Sequence, residues 1–305
     1  MALVLTAGQM VDARKVPVVA TTGMIGDVVR EVGGDRVETV VLIGEGIDPH
    51  LYNPTRRDIV ALDRASIVFY NGLFLEGKMG EVLRRFERRG KPAVAVAERI
   101  VADGAYSVIE EEDENDPHLW MDVGAWIEAV KIVEAALANF DPEGQAVYSA
   151  NAKQYRQKLH QLNLWVKAGV ESIPGHQKVL VTAHDAFGYF GRAYGIEVRG
   201  IQGISTESEA GLRDIEELVT FLVDARVPAV FVETSVPEKN VRALVEGARA
   251  RGHEVSIPGT LYSDSMGAAG TWEGTYIGMI EHNVRVIVRG LGGNPDLPEL
   301  REMLQ

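Results

Sequence analysis

Along the first hundred residues, short apolar runs alternate with stretches whose apolar positions recur every three or four residues. PVVA at 17–20 predicts a buried strand, followed by a Thr21-Thr22-Gly23 turn and a helix over about 24–33. RVETVVLI at 36–43 predicts a second strand, TRRDIVALDRA a short helix, SIVFYNG a strand, GKMGEVLRRFERRG a helix and PAVAVA a strand. Strands apolar on both faces, each followed by a helix, are the pattern of a mostly parallel sheet covered by helices.

Beyond a polar, acidic stretch, VIEEEDENDPH, which reads as a loop, Val123, Trp126, Ile127, Val130, Val133 and Leu137 mark one face of a helix over 123–139. The next segment is longer. From Pro142 to Val170, apolar residues fall at 148, 155, 159, 162, 166 and 170 with no interior proline. Asp141-Pro142 supplies a cap and a first-turn proline, and Ile173-Pro174-Gly175 a stop. Such a helix spans roughly 40 Å at about 1.5 Å per residue, more than an ordinary crossover helix, and predicts a rigid rod between two domains. The β-α alternation then resumes with KVLVT (178–182), AFGYFGRAYG, IEVRGI, EAGLRDIEELVTFLVDA, AVFVE (229–233), PEKNVRALVEGARARG, EVSIPG and a last helix over about 272–289. The expected fold is α/β: two similar lobes with mostly parallel four-stranded sheets, at 17–141 and 173–294, joined by one long helix over 142–172.

A chain of 305 residues that is 46% apolar is long enough for two such cores. Its 44 Asp+Glu against 31 Lys+Arg, a net charge of -13, speak against a nucleic-acid partner, because phosphate contacts need a concentrated basic face. RRFERRG at 84–90 reads as the solvated end of a helix. The absence of cysteine excludes a disulfide framework, a thiolate metal site and a thiol nucleophile. TTGMIGDVV lacks both the GxGxxG spacing and a Walker-type GK[ST], so no nucleotide site is expected. The opening MALVLTAGQMVDARK carries a short apolar ALVL, too short to span a membrane, and reads either as the tail of an export signal whose start is missing or as a vector-derived remnant.

Two segments share a local grammar: IDPHLYNP at 47–54 and ENDPHLWMD at 114–122. In each, proline restricts the backbone entering a histidine, an arrangement suited to aiming a ring. His184, in VLVTAHDAFGYF, follows the strand over 178–182, and Asp264, in GTLYSDSMG, follows the strand near 254–257. His50, His184 and Asp264 thus leave the carboxyl ends of strands, where α/β sheets present ligand sites. With His118 they make three neutral imidazoles and one carboxylate, a set suited to a divalent metal of borderline softness. Asp48, Asp116 and Asp185 could offset the remaining charge, and acceptors are expected on the second ring nitrogens. A lone loop histidine is usually no ligand, and no compact motif such as HExxH certifies this set; the repeat singles out the first pair. His160, His176, His253 and His282 read as solvent or packing residues, Glu45, Asp48, Asp116, Asp122 and Asp185 more often as loop or capping residues, and Tyr52, Trp120 and Phe187 as core or cleft-wall aromatics. The competing chemistry is a metal-dependent hydrolase or lyase on the same residues, with Asp264 as general base. Four protein ligands would close the position such catalysis keeps open.

Together, IDPHLYNPT, NDPHLWMD, VLVTAHDAFGYFGRAYGIEV, FVETSVPEKN and GTLYSDSMG with GTYIGMIEHN resemble the cluster A-I solute-binding proteins of bacterial ABC importers for zinc and manganese, of the TroA-like type. The resemblance spans about residues 17–290. It implies two lobes on one stiff helix, with a metal held by His50 and His118 from the first lobe and His184 and Asp264 from the second. It further implies a periplasmic or cell-surface monomer, without enzymatic activity or organic cofactor, that delivers metal to a membrane permease driven by a cytoplasmic ATPase. Some relatives have been described as adhesins, but nothing in this sequence specifies a host ligand. The sequence also departs from its relatives. A short EEEDEND stands where zinc-specialised members often carry a long His-rich loop, and His184 stands where manganese-specialised members commonly have glutamate. A lipobox cysteine is absent, so a membrane anchor is expected to have been lost with a truncated start. Imidazole donors and the rise of divalent affinity from manganese to zinc favour zinc over manganese as cargo.

Overall fold

The computed structural model describes residues 15–111 and 114–304. The ALVL segment lies outside the described residues. The first lobe runs through β1 (Val16–Ala20), α1 (Gly23–Gly33), β2 (Val37–Val41), α2 (Arg56–Arg64), β3 (Ile67–Tyr70), α3 (Gly77–Arg88), β4 (Ala93–Ala95) and α4 (Val96–Ala102). Its four strands form a parallel sheet ordered β2-β1-β3-β4. β3 is buried along its whole length and β1 over its last three residues, which is why neither alternates polar with apolar positions. The sequence pattern carries the fourth strand through Val96 and Ala97, whereas the structure ends it at Ala95 and turns the same apolar run into α4. Periodicity does not separate strand from helix in so short a run. Within the acidic stretch, β5 (Glu110–Glu111) pairs antiparallel with β6 (Glu114–Asn115).

α5 (Val123–Phe140) starts at Asp122, whose side chain accepts a hydrogen bond from Gly124 N at 2.7 Å. A 3-10 turn at Pro142–Gly144 then leads into α6 (Gln145–Glu171), the long helix. Tyr148, Tyr155, Leu159, Leu162, Val166 and Val170 are all buried, against α5, α1 and the last long helix of the chain. The rod is therefore clad along one stripe. Each large apolar side chain it buries contributes about 1.5–3 kcal/mol, and this cladding gives the connection its stiffness.

The second lobe comprises β7 (Val179–His184), α7 (Gly188–Tyr194), β8 (Glu197–Gln202), α8 (Leu212–Asp224), β9 (Val232–Glu233), α9 (Lys239–Ala250), β10 (Thr260–Leu261), α10 (Tyr276–Gly290) and α11 (Leu300–Met303). β7 pairs with β8 and β9 with β10, all parallel. The two pairs are separate two-stranded ladders, and Ala229 bridges Ser256 just ahead of the second. A backbone bond, Phe231 N donating to Val181 O at 2.9 Å, sets them side by side in the order β8-β7-β9-β10. This repeats the first lobe's order. The last strand lies at Thr260–Leu261, later than EVSIPG predicts, because Pro258 lacks the N–H a continuous ladder would need. Of EVSIPG, Ser256 alone takes part in a parallel bridge. After α10 the chain folds back on the linker, where Trp165 Nε1 donates to Pro298 O at 3.0 Å. Among the described residues no helix is long and apolar enough to cross a membrane.

Candidate metal centre

The two Asp-Pro-His segments fold alike. Asp48 Oδ1 accepts from His50 N at 2.8 Å, and Asp116 Oδ1 accepts from His118 N at 2.9 Å. Each aspartate closes a turn onto the backbone two residues ahead, and the proline between them fixes the path. The first segment leaves β2 and rests on Gly77, at φ +44, where a Cβ would collide with the His50 carbonyl oxygen. The second is held by Asn71 Nδ2, which donates to Pro117 O at 3.0 Å. His184 is itself the last residue of β7, and Asp264 lies three residues beyond β10. Trp120 Nε1 donates to Ser263 O at 2.9 Å, tying the loop of one expected ligand to that of another across the lobes. Asp48 Oδ2 reaches across in the same way, accepting from Thr206 Oγ1 at 2.5 Å.

These loops bring all four expected ligands together, with one donor atom from each lying within 4.8 Å of the others. His50 Nε2 is 3.4 Å from His118 Nε2. Asp264 Oδ1 is 3.3 Å from His118 Nε2, and Asp264 Oδ2 is 3.1 Å from His184 Nε2 and 3.8 Å from His50 Nε2. A tetrahedral centre with metal–ligand distances of about 2.0–2.1 Å has edges of about 3.3–3.4 Å, so the spacing fits one small cation. Exposure is 0% for His118 and His184, 2% for Asp264 and 5% for His50. His184 Nε2 and both Asp264 oxygens make no well-formed hydrogen bond, although a buried polar atom left so is costly. A cation at their common centre would satisfy all three.

Two further carboxylates face the rings from behind. His118 Nδ1–H donates to Asp116 Oδ1 at 2.7 Å, and His184 Nδ1–H to Glu233 Oε2 at 2.6 Å. Each fixes the tautomer that turns Nε2 inward and raises its basicity. Glu233, whose Oε1 also accepts from His184 N at 3.0 Å, is not among the residues the sequence singles out. Its signal is a charge at the end of the otherwise apolar AVFVE.

The electrostatics divide the histidines. Burial opposes charge on His118, but Asp116 and Asp264 overcome it and push the imidazole up to about 9. Burial opposes charge on His184 too, and Glu233 and Asp264 raise it well above its ordinary value. Among the described residues no carboxylate bonds His50 from behind in this way, and burial pulls it down to about 3. For Asp264 burial works upward, and the adjoining His184 and His118 hold it well below the usual carboxylate range.

Of the remaining candidates, Trp120 packs edge-on against the His118 ring, their centroids 5.1 Å apart, whereas the other histidines bond elsewhere or face solvent. His253 Nε2 pairs with Val227 O and His282 Nε2 with Thr260 O, while His160 and His176 are exposed. Trp120 and Phe187 are buried, and Tyr52 donates to Asp58 Oδ2 at 2.8 Å. Asp122 caps α5 and accepts from Tyr106 Oη.

Residues 18–290 match the family described as ZnuA, zinc-uptake complex component A, periplasmic. The chain belongs to this family. It is 47% identical over 274 residues to the zinc-binding protein TroA of Treponema pallidum (strain Nichols), covering 90% of this chain and 88% of that protein. It is 44% identical over 286 residues to the manganese-binding lipoprotein MntA of Bacillus subtilis (strain 168), covering 94% and 92%. The solved structure of periplasmic zinc-binding TroA from Treponema pallidum superposes with a TM-score of 0.87 at 46% identity, covering 91% of this chain and 99% of that one. The two-lobed fold on a long helix is thus that of the metal-binding solute receptors of ABC importers, proteins of the periplasm or outer cell surface. These are transport proteins, and the hydrolase or lyase alternative finds no support among them. Membership of the family implies an importer with a membrane permease and an ATPase.

Proposed function

We propose that His50, His118, His184 and Asp264 together ligate one divalent cation, zinc or manganese, captured between a first lobe at 17–141 and a second at 173–294, and that this chain hands it to an importer's permease. The convergence of four buried donor atoms within 4.8 Å, two from each lobe, carries this reading. Three neutral imidazoles and one carboxylate leave a divalent ion with about one net positive charge, which Asp116 and Glu233 offset through the rings. No donor position is left for a reacting water, as suits a carrier. Imidazole-rich ligation favours zinc. The manganese-binding relative at 44% identity keeps manganese as the alternative cargo. The acidic balance of the chain, net -13, disfavours nucleic acid as a partner.

Calorimetric titration with zinc and with manganese tests the reading. One ion per chain is expected, with zinc the tighter, and His50→Ala, His118→Ala, His184→Ala and Asp264→Ala should each weaken it severely. Undiminished binding in any two of these variants would overturn the assignment.

A further inference from the structure

We infer that Glu76 is a positioning residue for the metal centre: its carboxylate fills the crevice at the carboxyl ends of β1 and β3 and holds the loops that carry His50 and His118. The inference rests on the reading that those two histidines are ligands. In the order β2-β1-β3-β4, the connections leaving β1 and β3 diverge to opposite sides. Doubly wound sheets place their ligands in the crevice opened there. In this lobe the donors lining that crevice converge on the chain's own side chain. Glu76 Oε1 accepts from Thr21 Oγ1 at 2.8 Å and Asn71 N at 2.5 Å, and Oε2 accepts from Gly72 N at 3.1 Å.

From this hub two short paths lead to the metal centre. Asn71, anchored through its N–H, extends Nδ2 to Pro117 O, the residue before His118. Gly77, next in sequence to Glu76, is the floor on which the His50 carbonyl rests. Thr21 fixes the base of the same loop, since its carbonyl accepts from Ile43 N at 2.8 Å while its N–H donates to Phe69 O at 3.0 Å. Glu76 is 2% exposed and meets neutral donors, and burial pushes its carboxyl up to about 7. A buried acid among neutral groups is a poor way to gain stability, whereas a bidentate acceptor is well suited to orienting three donors from two strand ends.

The test compares Glu76→Gln and Thr21→Val with the unaltered protein and with His50→Ala, in zinc titrations and in imidazole nitrogen–proton NMR spectra of the metal-free chain. Glu76→Gln keeps the shape but turns an N–H toward donors. Its zinc Kd should rise about 10–100-fold, as for loss of a group that orients ligands, and the ring signals of His50 and His118 should move while those of His184 stay. Thr21→Val should shift the same signals less. Wild-type affinity in both folded variants would overturn the inference, as would His184 signals moving equally, the mark of general loosening. If Glu76→Gln does not fold, Thr21→Val alone decides: shifted His50 and His118 signals support the inference, and unshifted ones overturn it. Unchanged binding by His50→Ala would instead refute the ligand assignment itself.

Discussion

Lowering the pH should release the metal in a way that ordinary histidines do not predict. A free imidazole titrates near 6.5, so a site of three such groups would reach its full affinity by about pH 7.5. Here the carboxylates behind two rings change the starting state. His118 sits at about 9 and His184 is raised as well, while His50 is neutral throughout and Asp264 ionised. Two protons must therefore leave before three neutral imidazoles can ligate a cation. For His118 alone, two pH units between 7 and 9 amount to about 100-fold in affinity, tenfold per unit. The metal-free fold should respond with the opposite sign. A raised histidine stabilises it fully below about 6.5 and loses that contribution as pH rises through about 9. Calorimetry at pH 7.5 in buffers of different ionisation enthalpy counts the protons directly. Release of nearly two per ion, with affinity still climbing above pH 8, is expected. Release below about half a proton, with affinity flat above pH 7.5, would show that the carboxylates do not set the rings' state.

Other perturbations follow from the same contacts. Glu233→Gln keeps an acceptor for His184 Nδ1 but removes its charge. Metal affinity at pH 9 should fall about 10–100-fold, and the deficit should shrink toward pH 7, measurable in the same titrations. Gly77→Ala places a Cβ against the His50 carbonyl at φ +44. It should cost about 1–3 kcal/mol in chemical denaturation and weaken zinc binding with it. Leu159→Ala hollows the clad face of the linker, where Leu159 is wholly buried. It should cost about 2–5 kcal/mol in unfolding free energy without changing proton release on metal binding.

The elements with long, regular patterns were legible from the chain. α6 buries the residues its spacing names, and the repeated Asp-Pro-His marks two turns that the structure builds from the same hydrogen bond. Legibility failed where local pattern and tertiary context compete. Val96 and Ala97 continue an apolar strand in sequence yet start a helix, and Pro258 displaces the last strand of the second lobe to 260–261. The groups supporting the centre were least legible. Glu233 and Glu76 reach it from β9 and from the loop before α3, distances in sequence that no periodicity records. Histidine and aspartate declare themselves as donors, but the partner that orients a donor depends on how two strands end side by side.

Anomalous diffraction from crystals grown with zinc, recorded on either side of the zinc edge, tests the shared centre most directly. A single peak about 2.0–2.2 Å from His50 Nε2, His118 Nε2, His184 Nε2 and an Asp264 oxygen is the predicted result. A peak elsewhere on the chain, or one touched by residues of one lobe alone, would contradict it.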